Sequence, residues 1–272
     1  MASDSTATRV SALTIAGSDS GGGAGIQADL RTFAAHRVHG LSALAALTAQ
    51  HTRGVTAVHV PPVEFMRAQV DACFEDFDIG AVKLGMLANA AVIHAVADAL
   101  EAHPPTLLVL DPVMVATSGA RLLETDALDA LRTRLVPRAD LLTPNTPEAE
   151  LLTGLRIADA AAAERALDAL LAMGARAVLL KGGHLDEGAQ VVDRYRDAAG
   201  AATFIHERLP FEGHGTGCTL ASAVAAQLCL GLPMAQAAAA AVAYVGRALR
   251  QGYRPGRGKA HVLDHFGAAP AA

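Results

Sequence analysis

The chain has 272 residues, of which 52% are hydrophobic and 18% charged, so it can bury a core of its own and is not a disordered protein. Its 22 basic and 27 acidic residues give a formal net charge of −5. With no basic face evident, we expect no nucleic-acid partner, whereas a small anionic substrate stays compatible with this charge.

Three cysteines, at positions 73, 218 and 229, form no C-x-x-C pair. Their odd number argues against a disulfide framework or a structural zinc site and fits a reducing compartment. The first ten residues lack a basic segment followed by an apolar stretch, so we expect no secretory signal. The most apolar run, about Met234–Val245, is too short to span a bilayer and is interrupted by Gln236. We therefore expect a cytoplasmic protein without a membrane partner.

Short apolar runs alternate with segments of helical length along the chain. Continuous apolar runs are typical of strands that are covered on both faces, and the β–α alternation predicts a mainly parallel sheet with right-handed crossovers. Two segments break this pattern, as an edge strand over Val55–Val60 and an antiparallel hairpin over Val191–Glu207. The predicted strands of the main sheet are Ser11–Ala16, Leu41–Leu47, Ala81–Leu84, Leu107–Leu110, Asp140–Leu142 and Ala177–Leu180.

Apolar stripes predict the helices. One helix begins after Asn89, a favoured N-cap residue, and another follows Thr125. We predict one α/β domain over residues 11–252, a flexible N-terminus over residues 1–10 and a partly ordered tail over residues 253–272. The other predicted helices are Asp159–Met173, which ends at Gly174, Thr216–Leu230 and Pro233–Arg250.

The first predicted strand runs into a glycine-rich segment, residues 16–30. Open α/β sheets bind ligands beyond the carboxyl ends of their strands, and glycines let a ligand approach the backbone. Residues 23–28 match the G-x-G-x-x-A pattern of dinucleotide-binding proteins, but the next strand does not end in an acidic residue and no P-loop motif is present. A flexible turn is the alternative interpretation. Asp29, four residues after Gly25, faces either the cleft or the solvent.

Three further strand ends carry polar side chains. Gln50 offers an amide donor and acceptor, which suits the edge of a heterocycle, although a surface loop is the better explanation when Gln50 is taken alone. Asp111 follows one strand, and Asn145 and Glu148 follow the next at helical spacing. Oxygen ligands of this kind favour Mg²⁺. The alternative is a capping box in which Asn145 caps a helix and Glu148 is its partner; the two roles do not exclude each other.

The segment GHGTGCTLASA, residues 213–223, opens a helix. Its glycines leave backbone N–H groups unobstructed at a helix N-terminus, which predicts an anion site. Cys218 lies in the first turn, where we expect its thiol pKa to fall; a small buried apolar cysteine is the alternative. Lys181, after another strand, is either a phosphate neighbour or a solvated lysine. Together these parts suit phosphoryl transfer, which needs positioning, Mg²⁺ and donors for developing charge.

At this point the motifs match a family. The chain resembles the hydroxymethylpyrimidine/phosphomethylpyrimidine kinases of the ribokinase-like superfamily from about Leu13 to Gly252. The resemblance implies a single domain with a mainly parallel central sheet, helices on both faces and a small antiparallel edge element. The motifs that occur in the family's order are AGSDSGGGAGIQADL, TAQHT, VKLGML, DPVMVATSG, LTPNTPEAELLTG, LLKGGH and HGTGCTLASA.

The resemblance also implies an activity. It predicts ATP-dependent phosphorylation of 4-amino-5-hydroxymethyl-2-methylpyrimidine to its monophosphate and then to the diphosphate, in thiamine diphosphate biosynthesis. Relatives are commonly dimers, so we expect a homodimer. The alternatives are a pyridoxal or pyridoxine kinase of the same superfamily and a catalytically silent sensor of small molecules. A silent sensor should have lost its base or metal groups, yet Cys218, Asp111 and Glu148 are all present.

Site residues follow from the family's motifs. Gln50 would bind the aminopyrimidine, and Cys218 would take the position of the general base. The pocket would be lined by Gly17, Asp29, Met86 and Val113. Mg²⁺ would be organised by Asp111, Asn145 and Glu148, and the nucleotide would be bound by Lys181, Asn145 and Thr216. The anion hole would be formed by Gly215, Thr216 and Gly217.

Overall fold

The computed structural model describes residues 10–114, 123 and 126–270. Within these residues, nine strands form one sheet, in which six neighbouring strands are parallel and three at the edges are antiparallel. The strands are β1 (Ser11–Asp19), β2 (His39–His51), β3 (Gly54–His59), β4 (Ile79–Leu84), β5 (Leu108–Leu110), β6 (Leu141–Leu142), β7 (Ala177–Leu180), β8 (Gln190–Asp197) and β9 (Ala201–Glu207). Their order, β3-β2-β1-β4-β5-β6-β7-β8-β9, confirms the predicted fold class.

The helices follow the predicted pattern with one addition. The helices of the described residues are α1 (Gly25–Ala35), α2 (Val63–Asp76), α3 (Ala90–Ala102), α4 (Ala127–Ala130), α5 (Thr146–Thr153), α6 (Ala160–Ala172), α7 (Thr216–Cys229) and α8 (Met234–Arg250). The Asn89 side chain accepts the Val92 N–H and caps α3, as predicted. Sequence analysis missed α2, because Met66 and Val70 are its only buried residues and they make too weak a stripe. The predicted helix start at Thr125 lies outside the described residues.

Alternate residues of the sheet face two apolar cores. Leu13 and Ile15 of β1 pack with α2, α3, α5 and α6 on one face, whereas Ala12 packs with α1, α7 and α8 on the other. Many of the buried positions on α7 and α8 are alanines, which let these helices approach each other and the sheet closely. None of the helices in the described part of the chain is both long and apolar enough to cross a membrane.

Two strand extensions and the tail prepare the site. β1 and β2 continue past their predicted ends, so the start of the glycine-rich segment and Gln50 lie on strands. The turn before α7 forms β10 (Gly213–His214), which pairs with β11 (His261–Val262) of the tail. Tyr244 of α8 donates its hydroxyl to the His265 carbonyl at 2.9 Å, and His265 is buried. The tail therefore supports the turn that precedes α7.

Candidate active site

Six parallel strands end at one edge of the sheet, and α1 and α7 both begin there. The first turns of these two helices touch: a Cβ added to Gly215 would overlap the carbonyl oxygen of Gly23. Gly215 is the N-cap of α7 and has a φ of +86°, a conformation that glycine adopts without strain. In the described structure no side chain caps either helix. Their N–H groups and dipoles therefore make this cleft an anion site.

Asp19 shapes the glycine-rich turn before α1. Its carboxylate accepts the N–H groups of Gly21, Gly23 and Ala24 at 2.8, 3.0 and 2.9 Å. Burial raises the pKa of Asp19, but the hydrogen bonds from His214 and the backbone outweigh burial and hold the pKa below its ordinary value. Sequence analysis did not single out Asp19, although an acidic residue among glycines signals a turn closed by a carboxylate.

Gln50 lies beside this turn at the end of β2. The Thr48 hydroxyl donates to Gln50 Oε1 at 3.2 Å, and Gln50 Nε2 lies 3.1 Å from His214 Nε2. The same His214 nitrogen lies 2.9 Å from Asp19 Oδ2. His214 thus connects the predicted pyrimidine-binding amide to the two helix N-termini.

Three of the predicted pocket residues form a small apolar surface. Met86 is nearly buried and packs with Ala46 and Ala88, and Val113 packs against the same group. A Cβ on Gly17 would lie 2.6 Å from Met86 Sδ, so glycine is needed for this close approach. The structure therefore brings Gly17, Met86 and Val113 together.

Asp29, the fourth predicted pocket residue, is placed differently. It is fully buried, and its carboxylate accepts hydrogen bonds from Thr14 and Ser222 at 2.7 Å each. Lys83 Nζ lies 2.9 Å from both carboxylate oxygens and is also fully buried. The prediction that Asp29 lines the pocket surface is wrong for this structure, because its oxygens are engaged beneath the cleft. Sequence analysis missed Lys83, although a lysine within a buried strand indicates a buried partner.

A lysine and two carboxylates meet after β5, β6 and β7. Lys181 Nζ lies 2.8 Å from Asp111 Oδ1 and 3.7 Å from Glu148 Oε2. Asp111 Oδ2 is buried and has no hydrogen-bond partner among the described residues. A Cβ on Gly217 would lie 3.1 Å from Lys181 Nζ and 3.6 Å from Asp111 Oδ2, so this cluster lies against the first turn of α7.

The predicted capping box is present in α5. The Asn145 side chain accepts the Glu148 N–H, and the Glu148 carboxylate accepts the Asn145 N–H. Burial raises the pKa of Glu148 to about 7, since the opposing effect of Lys181 is partly cancelled by Asp111. Burial lowers the pKa of Lys181, but Asp111 and Glu148 outweigh it and raise this pKa above its ordinary value. A further cation beside Asp111 and Glu148 would therefore favour ionised Glu148.

The structure corrects the prediction for Cys218. The thiol is half-buried, and the Gly25 N–H lies close enough to it to lower its pKa. Burial raises its pKa to about 11; Lys83 lowers the pKa, whereas Asp29 and Asp111 raise it. The prediction of a lowered thiol pKa is wrong, because desolvation outweighs the helix N-terminus and the nearby lysine.

The fold and this cleft together define the class of protein. A ribokinase-like sheet that presents a helix N-terminus beside a lysine–carboxylate cluster is that of a small-molecule kinase. The model of the phosphomethylpyrimidine kinase family matches residues 19–263, and the chain belongs to that family.

Individual relatives agree with this assignment. The hydroxymethylpyrimidine/phosphomethylpyrimidine kinase of Rhizobium meliloti is 48% identical over 261 residues, which cover 94% of this chain and 96% of that protein. The thiamine biosynthesis bifunctional protein of Geobacter sulfurreducens is 48% identical over 96% of this chain, which spans 53% of that longer protein. The solved ADP complex of Bacillus subtilis pyridoxal kinase has a TM-score of 0.87 at 31% identity, covering 95% of this chain and 98% of that one.

The buried Lys83–Asp29 pair gives a first prediction. Lys83→Met should lower the free energy of unfolding by about 3–5 kcal/mol, because it leaves a buried carboxylate without its counter-ion. The double variant Lys83→Met/Asp29→Asn should recover most of this loss. Urea unfolding measures both values, and Lys259→Met, at an exposed lysine, is the matched control. A double variant no more stable than Lys83→Met would contradict the pairing.

Proposed function

We propose that this protein phosphorylates 4-amino-5-hydroxymethyl-2-methylpyrimidine with ATP, first to the monophosphate and then to the diphosphate. The observation that carries the proposal is the position of Cys218: it lies in the uncapped first turn of α7, whose Gly217 adjoins Asp111 and Lys181. Membership in the phosphomethylpyrimidine kinase family supplies the substrate class. The relatives named for both phosphorylation steps support the two-step form of the proposal.

The terminal phosphates of ATP would bind at the N-terminus of α7. The backbone N–H groups of Gly215, Thr216 and Gly217 supply donors there, and no side chain in the described structure competes for them as a cap. Lys181 adds a point charge held in place by Asp111. These donors would stabilise the charge that spreads over the transferred phosphoryl group.

Asp111 and Glu148 fit a Mg²⁺ site. The Asp111 Oδ2 atom is buried with no partner among the described residues, and burial raises the pKa of Glu148 to about 7. A divalent cation would give Asp111 Oδ2 a partner and favour the ionised form of Glu148. Two carboxylates also suit Mg²⁺, which commonly binds proteins through one or two carboxylates together with substrate phosphates. Asn145 would act by holding Glu148 through the capping box. When bound, the ion would neutralise charge on the phosphates.

The acceptor would bind on the side of Cys218 that is opposite to the ATP phosphates. The apolar surface of Gly17, Met86 and Val113 suits a flat ring, and the Gln50 amide offers a donor and an acceptor to the amino group and a ring nitrogen. This pose directs the hydroxymethyl oxygen toward Cys218.

In the first step, the hydroxymethyl oxygen forms a bond to the γ-phosphorus as the bond from that phosphorus to the ADP oxygen breaks. The hydroxyl proton passes to the Cys218 thiolate. In the second step, the nucleophile is an oxygen of a phosphate that is already anionic, so no strong base is needed. Repulsion between the two phosphates is the difficulty of that step, and the α7 N–H groups and Lys181 offset it.

A product assay tests the proposed function. Purified protein with ATP, Mg²⁺ and the pyrimidine alcohol should give the mono- and diphosphate by mass spectrometry, and chelation of Mg²⁺ should stop both. Pyridoxal is the competing substrate, because a pyridoxal kinase shares the fold. We expect a higher kcat/KM for the pyrimidine alcohol. A higher kcat/KM for pyridoxal would overturn the assignment.

The thiol pKa gives a pH prediction. Below a pKa of about 11, the thiolate fraction rises roughly tenfold per pH unit. The kcat/KM of the first step should therefore rise between about pH 7 and pH 9, while that of the second step stays nearly flat. Cys218→Ala should lower the first rate by about 10²-fold, abolish its pH slope and leave the second within about threefold.

The control for this variant is Cys73→Ala, which removes a half-buried thiol elsewhere in the fold. It should leave both pH profiles unchanged. Equal losses in the two steps of Cys218→Ala would refute the role of the thiol as the base of the first step.

The Gln50 amide gives a prediction about substrate binding. Gln50→Ala should raise the KM for the pyrimidine about tenfold, because a ring nitrogen and an amino group lose their partner, while the KM for ATP stays within about twofold. Steady-state kinetics with each substrate varied in turn measures both constants. A pyrimidine KM equal to that of the unaltered protein would remove Gln50 from the site.

A further inference from the structure

The helices α1 and α7 contact each other at two matching levels. At the first level, the turns before the two helices meet, since a Cβ on Gly215 would overlap the Gly23 carbonyl oxygen, and the Gly25 N–H lies close enough to Cys218 to lower its thiol pKa. Four residues further along each helix, the Ser222 hydroxyl donates to Asp29 Oδ1 at 2.7 Å. A spacing of four residues is about one helical turn, so Cys218 and Ser222 lie on the same face of α7, toward α1.

The second level is anchored firmly. Asp29 also accepts a hydrogen bond from Thr14 of β1 and is paired with Lys83 of β4. These three side chains and that of Ser222 are all buried. One carboxylate thus joins two strands and two helices. Ser222 is the residue through which α7 bonds to this anchor.

The serine hydroxyl has a local alternative. A serine inside a helix can donate to the carbonyl of the preceding turn, but Ser222 donates across to another helix. The bond is charge-assisted, since its acceptor is a paired carboxylate, and such bonds are shorter and stronger than neutral ones. It therefore restricts sliding and rotation of α7 against α1 one turn below the thiol.

We propose that Ser222 is a positioning residue that, through Asp29 and Lys83, holds the Cys218 thiol against the first turn of α1. This inference deepens the proposed function and rests on it, because the thiol matters for the alcohol acceptor. Ser222 is not a catalytic residue, since it is bonded to Asp29 beneath the cleft. A shift of about 1 Å at a reacting group can cost about 10²-fold in rate.

The kinetic test compares two backgrounds. Ser222→Ala should lower kcat of the first phosphorylation about tenfold, keep the pyrimidine KM within about twofold and leave the second phosphorylation nearly unchanged. In a Cys218→Ala background, the same change should cause no further loss in the first step. Equal losses in both steps, or an undiminished loss without the thiol, would overturn the proposal.

Thr219→Val is the matched control. Thr219 is a fully buried hydroxyl residue of α7 whose oxygen lies 3.1 Å from His265 Nε2 of the tail rather than on Asp29. Its loss should lower the unfolding temperature to a similar extent as Ser222→Ala but should not favour one phosphorylation step over the other.

A labelling experiment does not depend on kinase activity. Release of the first turn of α7 should expose Cys218 and relieve its desolvation, so iodoacetamide should alkylate it at least about threefold faster in Ser222→Ala than in the unaltered protein. The charged groups around the thiol, Lys83, Lys181, Asp29 and Asp111, are the same in both proteins. Peptide mass mapping gives the rate relative to Cys229 in the same molecules.

The kinetic and labelling experiments together distinguish failure of the proposed function from failure of the positioning role of Ser222. If the unaltered protein phosphorylates no pyrimidine alcohol but Ser222→Ala still accelerates labelling of Cys218, then the proposed function is wrong and the positioning contact stands. If the kinase is active and the labelling rate of Cys218 does not change, then the positioning role is refuted.

Discussion

The close approach of two parallel helix N-termini is the constraint on which the site depends. The positive ends of α1 and α7 repel each other, and side chains at the crossing would hold them apart. Glycine at positions 23 and 215 removes the steric barrier. The carboxylates of Asp19 and Asp29 offset the repulsion, one at the turn before α1 and one a turn below the contact. What remains is a group of N–H donors aimed at one place, which suits a phosphate.

Burial decides the electrostatics of this cleft more than local sequence does. A thiol in the first turn of a helix should ionise easily, yet desolvation raises the pKa of Cys218 to about 11. Burial beside Asp111 likewise raises the pKa of Glu148 to about 7, although Lys181 is close. Positive charge brought close to either group would therefore favour its ionised form.

Under the proposed function, the same arrangement would serve two acceptors, an alcohol and a phosphate, in one site. An alcohol needs a proton acceptor beside it, which is the position of Cys218, whereas a phosphate acceptor needs its charge neutralised. In the proposed mechanism the N–H groups of α7 and Lys181 would serve both demands, because the transferred phosphoryl group is the same in each step. The carboxyl-terminal tail supports this arrangement, because its strand β11 pairs with the turn before α7 and holds that turn against the glycine-rich segment.

The sheet and most of the helices could be predicted from the amino-acid sequence, and the family's motifs could be recognised in it, because apolar periodicity, N-caps such as Asn89 and glycine spacing are local properties of the chain. It also indicated that Asp111, Glu148, Lys181 and Cys218 carry chemistry. The tertiary structure was needed to show that Asp29 lies beneath the cleft with Lys83 and that burial raises the pKa of the Cys218 thiol to about 11. Those two facts depend on desolvation and on partners far apart in sequence, and neither can be obtained from a residue and its neighbours along the chain.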